Sequence, residues 1–222
     1  MMERSKTKDL QEDLMDLNRA LTLLCEVSTW RDSSNHLHGT RVGGVAKILG
    51  EELGMPNDMA AILYHASSLH DIGKFGIPEE ILSKDTALTD EEFDIIKTHP
   101  IIGATIFSKA EGPFCAYVSS IALTHHEKMD GSGYPRGLAG YDIPLEGRIT
   151  TVADIYDALR SRRAGSNLMT HADACQTIIR GDGRTRPDHF DEKVLTAFEH
   201  CADRIEEIYL DDRFSHNGGL RH

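Results

Sequence analysis

The chain has 222 residues, enough for one medium-sized domain with a helical arm. Its 24 Lys and Arg stand against 36 Asp and Glu, and the formal net charge of -12 excludes a broad basic face for duplex nucleic acid. A hydrophobic fraction of 40% excludes disorder throughout, no apolar run approaches the roughly 20 residues of a membrane span, and no signal-type apolar stretch opens the chain, so the expected compartment is the cytoplasm.

Residues 8–30 place Leu10, Leu14, Leu17, Leu21, Leu24 and Val27 at spacings of three and four, the pattern of an amphipathic helix. That helix either packs on the domain or serves as a connector or homodimerising coil, and residues 1–30 are assigned to it as a separate arm. From His38 onward helix follows helix. Val42, Val45, Ile48 and Leu49 share one face, and Met59, Ile62, Leu63 and Leu69 the next, with Gly54 and Pro56 between them. Thr89 followed by Glu92 predicts a capping box, and Pro100 the first turn of another helix. The Gly-rich segment 130–144, which contains Pro135 and Pro144, predicts a long structured loop, the kind that carries function. Helices are expected again at Ile149 to Leu159, Ala172 to Ile179 and, as a single closing helix, Lys193 to Leu210. Residues 31–210 then form one all-α helical bundle, and 211–222 a tail. Cys25, Cys115, Cys175 and Cys201 lack any CxxC spacing and read as reduced structural thiols.

Histidine and carboxylate recur in a more informative way. His70-Asp71 follows an apolar helical run, His38 lies on an earlier helix, His99 at a helix junction, His125 and His126 are adjacent, and Asp154 sits inside ITTVADIYDAL. These are ligands suited to Zn, Mn, Fe or Ni. Seven side chains exceed the roughly six positions of one octahedral ion, so two ions bridged by Asp71 are expected, with positions left for water and substrate oxygens. Such a centre is positive and would draw a phosphate to an acidic protein without a basic patch. His36, His65, His171, His189, His200, His216 and His222 lack this context and are read as structural or surface histidines.

The sequence His70-Asp71-Ile72-Gly73-Lys74, then His99, HHEKMDGSGYPRGL at 125–138, IPLEGRI and VADIYDAL resembles the HD-GYP domain, a branch of the HD superfamily, over about residues 31–199. The resemblance implies an all-helical HD-superfamily bundle with a GYP loop and a metal-dependent phosphodiesterase that cleaves cyclic di-GMP to pGpG and often onward to GMP. It implies a divalent metal centre, commonly Fe or Mn, held by His38, His70, Asp71, His99, His125, His126 and Asp154. Trinuclear members carry a glutamate where this chain has Ser34, which implies two ions here. Asp71 and Lys74 then carry the catalytic roles, Lys74 beside a substrate phosphate or the leaving oxygen. Gly133, Tyr134 and Pro135 border the substrate and are linked to a diguanylate cyclase domain partner, and Asp157 and Arg163 fall near the nucleotide.

The chain departs from the family where DALTSxRPYK becomes DALRSRRAGS, with Gly165 and Ser166 for the tyrosine and lysine, leaving Arg160 or Arg162 as substitutes. Met129 also replaces the usual tryptophan. Two alternatives follow: a regulatory module that keeps its metals but hydrolyses weakly, and a phosphodiesterase for another dinucleotide.

Overall fold

The computed structural model describes residues 37–161 and 169–210, together with Leu23, Leu24 and Val27. Among these residues it is all-helical, with no strand. Ten α-helices run in the order α1 (His38–Glu52), α2 (Asn57–Ser68), α3 (Glu79–Leu82), α4 (Asp90–Ile96), α5 (His99–Ser108), α6 (Pro113–Thr124), α7 (Leu145–Arg160), α8 (His171–Arg180), α9 (Glu192–His200) and α10 (Ala202–Leu210). A 3-10 turn, Ile72–Gly76, joins α2 to the middle of the chain.

The helix boundaries follow local chemistry. Thr89 accepts a hydrogen bond from the Glu92 amide at 3.2 Å while the Glu92 carboxylate accepts from the Thr89 amide at 2.8 Å, the expected capping box of α4. Pro100 lies in the first turn of α5, and Pro144 caps α7. Asp191 caps α9 by accepting from the amides of Lys193 and Val194. The expected single closing helix is instead two pieces, because the backbone at Cys201 leaves helical geometry (φ -107°, ψ 15°) and α10 restarts across α1.

α1 and α2 pair as one hairpin and α5 and α6 as another, with α7 between them and α8 to α10 closing the far side. Val42, Val45 and Leu49 of α1, Leu63 of α2, Ile121 of α6, Ile149, Val152 and Tyr156 of α7, and Phe198 of α9 are fully buried in one core. Each such side chain contributes roughly 1.5–3 kcal/mol relative to exposure. Met59, expected inward, is exposed at the start of α2. Leu23, Leu24 and Val27 are helical with exposed side chains; the rest of the 1–30 arm, Cys25 and the 211–222 tail lie outside the described residues. Cys115, Cys175 and Cys201 are free thiols. No helix among the described residues is long and apolar enough to cross a membrane.

The 3-10 turn that follows Asp71 lies against the first turn of α5. A Cβ at Gly73 would stand 1.9 Å from the His99 carbonyl oxygen and 2.6 Å from the Gly103 amide nitrogen. Backbone on both sides cannot yield as a flexible side chain does, so only glycine permits this approach. Gly73→Ala is expected to destabilise the protein by about 3 kcal/mol, read as a lowered urea midpoint at unchanged m-value.

Candidate metal centre

Four helices and one turn deliver the histidines and carboxylates to a common point. His38 is the first residue of α1, and His70 and Asp71 follow the end of α2. His99 opens α5, His125 and His126 follow α6, and Asp154 sits inside α7. His70 and His125 are fully buried, His99 nearly so, while Asp71 and Asp154 keep a small exposed face.

The donor atoms separate into two groups, His38, His70 and Asp71 in one, Asp71, His99, His125 and His126 in the other, with the atoms of each within 4.8 Å of one another. Asp71 belongs to both. Its Oδ2 stands 3.6 Å from His38 Nε2 and 3.3 Å from His70 Nε2, and its Oδ1 3.2 Å from His99 Nε2 and 3.7 Å from His125 Nε2. Asp154 flanks the first group, with Oδ1 3.4 Å from His38 Nε2 and 3.8 Å from His70 Nε2. All seven side chains named from the sequence therefore meet.

Imidazole orientation is set by the far nitrogen. The Nδ1–H of His70 donates to the Ser67 carbonyl at 2.7 Å, that of His99 to Ile96 at 2.7 Å and that of His125 to Ala122 at 2.9 Å, each three residues back in its own chain. The Nδ1–H of His38 donates to the Asp157 carboxylate at 2.8 Å. Each ring thus turns Nε2 inward, and the Nε2 atoms meet in pairs, His38 with His70 at 3.3 Å and His99 with His125 at 3.2 Å. Inward-facing imidazole nitrogens around a shared carboxylate form the donor set of a borderline divalent cation, oriented as metal-bound histidines are. Asp71 Oδ1 is moreover buried without a hydrogen-bond partner. A buried carboxylate oxygen of that kind is costly unless a cation meets it, so the residues fit a divalent metal.

The electrostatics divide along the same line. Burial opposes a charge on His38, yet the hydrogen bonds to Asp157 and Asp71 raise it to about 10. His125 is lowered to about 4 by burial, in spite of Asp71, and burial with the adjacent His125 and His99 holds His126 well below its usual range. Burial would raise the Asp71 carboxyl, but Lys74 and His70 keep it well below the carboxylate range. Lys74 Nζ stands 2.7 Å from Asp71 Oδ2.

The loop after α6 is bolted to the same centre. Tyr134 stacks on His126, ring centroids 4.6 Å apart, and its amide donates to the His126 carbonyl at 3.2 Å. A Cβ at Gly133 would lie 2.5 Å from both Glu127 Cα and the His126 carbonyl oxygen, so glycine lets the loop lie on that backbone. Gly133 therefore has a packing role, Tyr134 lies beside His126, and Pro135 is half-buried. Glu127, missed in the reading of HHE, is buried and accepts from the amides of Arg136 at 2.7 Å and Leu138 at 3.0 Å, which ties down the far side of the loop.

Asp157 corrects the sequence reading. It is fully buried, and its two oxygens accept from His38, Arg41, Ser161 and Tyr209, so it orients His38 and is closed off from any bound nucleotide. Arg41 lay one turn from His38 in the sequence, a usable signal; Tyr209, 52 residues from Asp157, had none. Arg160, named as a substitute cation, instead lies over the Tyr209 ring at 5.1 Å. Ser34, Arg162, Arg163, Gly165 and Ser166 fall outside the described residues, as do His36, His216 and His222. His171 meets the Tyr156 hydroxyl at 2.7 Å, His200 is exposed, and His189 lies near Asp130 and Asp188, where Arg186 already pairs with both carboxylates.

A family model of the HD domain matches residues 21–194. The chain is 41% identical over 209 residues to a cyclic di-GMP phosphodiesterase of Thermotoga maritima, covering 93% of this chain and 56% of that protein. It is 34% identical to a 3'3'-cGAMP-specific phosphodiesterase of Vibrio cholerae, over 84% of this chain and 35% of that one. The chain thus spans about half the length, or less, of these curated relatives. An HDGYP protein of Bdellovibrio bacteriovorus shares the fold at a TM-score of 0.58 and 23% identity, over 78% of this chain and 52% of that one. By the family match and the residues that carry it, the chain belongs to the HD domain family, the superfamily of the GYP-bearing proteins that its motifs resemble.

Proposed function

We propose that the chain is a metal-dependent phosphodiesterase that hydrolyses cyclic di-GMP to linear pGpG, with GMP the product of a second cleavage. The observation that carries this reading is the Asp71 carboxylate shared between two groups of inward-turned imidazoles. Two divalent ions, Fe or Mn with Zn or Ni as alternatives, would be held by His38, His70, Asp71 and Asp154 on one side and by Asp71, His99, His125 and His126 on the other. Bound there, such ions supply Lewis acidity toward a phosphate and lower the pKa of an attacking water.

The chain's own residues do the rest. Anchored Nδ1 atoms keep the ligand nitrogens of His38, His70, His99 and His125 aimed inward, and burial of His70, His99 and His125 excludes bulk water, which strengthens each charge interaction. The Lys74 ammonium, beside Asp71, donates to a phosphate or leaving oxygen as negative charge develops. Tyr134 and Pro135 line the nucleotide side, and Arg163 contacts the substrate from the segment after α7. The same loop is the surface for a diguanylate cyclase domain partner, and the 1–30 arm, whose Leu23 is exposed, is the surface for self-association.

Identity to the cGAMP-specific relative supports a second reading in which another cyclic dinucleotide is preferred. Initial rates on cyclic di-GMP, 3'3'-cGAMP and linear pGpG separate the two, since a higher kcat/KM on anything but cyclic di-GMP displaces the first.

Wild-type protein purified without oxygen is expected to carry close to two metals per chain and to turn over cyclic di-GMP. Asp71→Ala is expected to lose both, and metal-dependent turnover in that variant would overturn the assignment. Glu127→Ala frees two loop amides and is expected to raise KM several-fold with metal content unchanged. For the metal-free protein the sign of the pH dependence follows from the shifts. His125, with its folded pKa lowered from 6.5 to about 4, stabilises nothing above pH 6.5 but costs about 3 kcal/mol as pH falls through that window, and His126 acts in the same direction. His38, raised to about 10, adds stability that is fully present below pH 6.5 and is lost as pH rises toward 10. Urea midpoints of the apo protein are therefore expected to fall on both sides of neutrality.

A further inference from the structure

Three of the ligand histidines carry their orientation with them. His70, His99 and His125 each have a preceding turn whose carbonyl, three residues back, accepts the Nδ1–H. His38 is the first residue of α1 and has no such carbonyl partner among the described residues. It relies on Asp157, 119 residues away on α7.

Asp157 in turn is held by partners from three places. Its Oδ1 accepts from Arg41 Nε at 2.5 Å and from the Tyr209 hydroxyl at 2.7 Å, and its Oδ2 from Arg41 Nη2 at 3.2 Å and Ser161 Oγ at 2.9 Å, besides His38. Arg41 is 1% exposed and Asp157 0%, so the carboxylate stays where these donors put it. Tyr209 is the only one of them that comes from α10, and Arg41 lies over its ring, 5.5 Å from the centroid. α10 otherwise reaches α1 through Arg204, whose Nη2 stands 2.6 Å from Glu51 Oε2, and through Ile208, whose Cδ1 lies 3.0 Å from the point where a Cβ on Gly44 would stand.

We propose that Tyr209 is a positioning residue for the metal ligand His38, acting through Asp157, so that the half of the centre built on His38 and His70 depends on the docking of α10. The proposal rests on the metal-centre reading above. Loss of the Tyr209 hydroxyl removes one of the donors that fix the Asp157 carboxylate, and the imidazole that carboxylate orients is held less firmly. In the other half His99 and His125 are anchored by carbonyls of their own preceding turns and His126 by the Tyr134 ring, with no α10 residue among these contacts, so that half is expected to be indifferent to α10.

The test is titration of the metal-free full chain with Co(II), followed by its visible absorption bands and by equilibrium dialysis, which counts the ions and gives the affinity of each step. Tyr209→Phe keeps the ring beneath Arg41 and removes only the hydroxyl. It is expected to weaken one of the two binding steps by roughly 10- to 100-fold and to leave the other unchanged. Tyr156→Phe is the control, because Tyr156 packs against the Tyr209 ring at 5.4 Å but gives its hydroxyl to His171 at 2.7 Å. It is expected to leave both steps as in wild type. Two wild-type affinities in Tyr209→Phe, or an equal weakening in Tyr156→Phe, would overturn the proposal while leaving the metal centre standing. Wild-type protein that takes up no Co(II) would overturn both.

Discussion

The carboxylate of Asp71 stands between two sets of imidazoles, and the rest of the structure can be understood as holding it there. A buried anion costs several kcal/mol unless cations or hydrogen-bond donors surround it. Here the imidazoles facing one oxygen come from α1 and the end of α2, and those facing the other from α5 and the end of α6. The two helical hairpins thus meet at one side chain. Gly73, two residues on, lets the chain press against the first turn of α5 so that His99 reaches that side chain at all.

Around this centre lies a shell of groups that touch no ligand position but fix those that do. Backbone carbonyls of Ser67, Ile96 and Ala122 select the tautomer of three histidines, and the Asp157 carboxylate does so for the fourth. The GYP loop belongs to the same shell, since Tyr134 stacks on His126 and Glu127 gathers the loop amides. A loop anchored on His126 thereby lies beside the cluster of inward-turned imidazoles.

The departures from the family pattern, Gly165 and Ser166, sit beyond α7 and away from the seven ligands in sequence. Arg160, a candidate to replace the lost cation, is committed to Tyr209 and supports α10 instead.

Much of the helical framework could be read in advance, because the signals are local. The capping box at Thr89, the proline in the first turn of α5, and the three-and-four spacing of Val42, Val45 and Leu49 act within a turn or two. The seven side chains that meet at Asp71 were legible as well, through residue type and motif spacing, since few other roles suit so many histidines beside carboxylates. What could not be read were relations across the fold. The role of Asp157 depends on Arg41 and Tyr209, 116 and 52 residues away, and the bend at Cys201 that brings Tyr209 back across α1 has no local marker. Residue types and spacing name the atoms able to bind a metal; only packing of distant helices decides which way each imidazole faces, because the hydrogen bond that orients it can be made by any carboxylate or carbonyl the fold carries there.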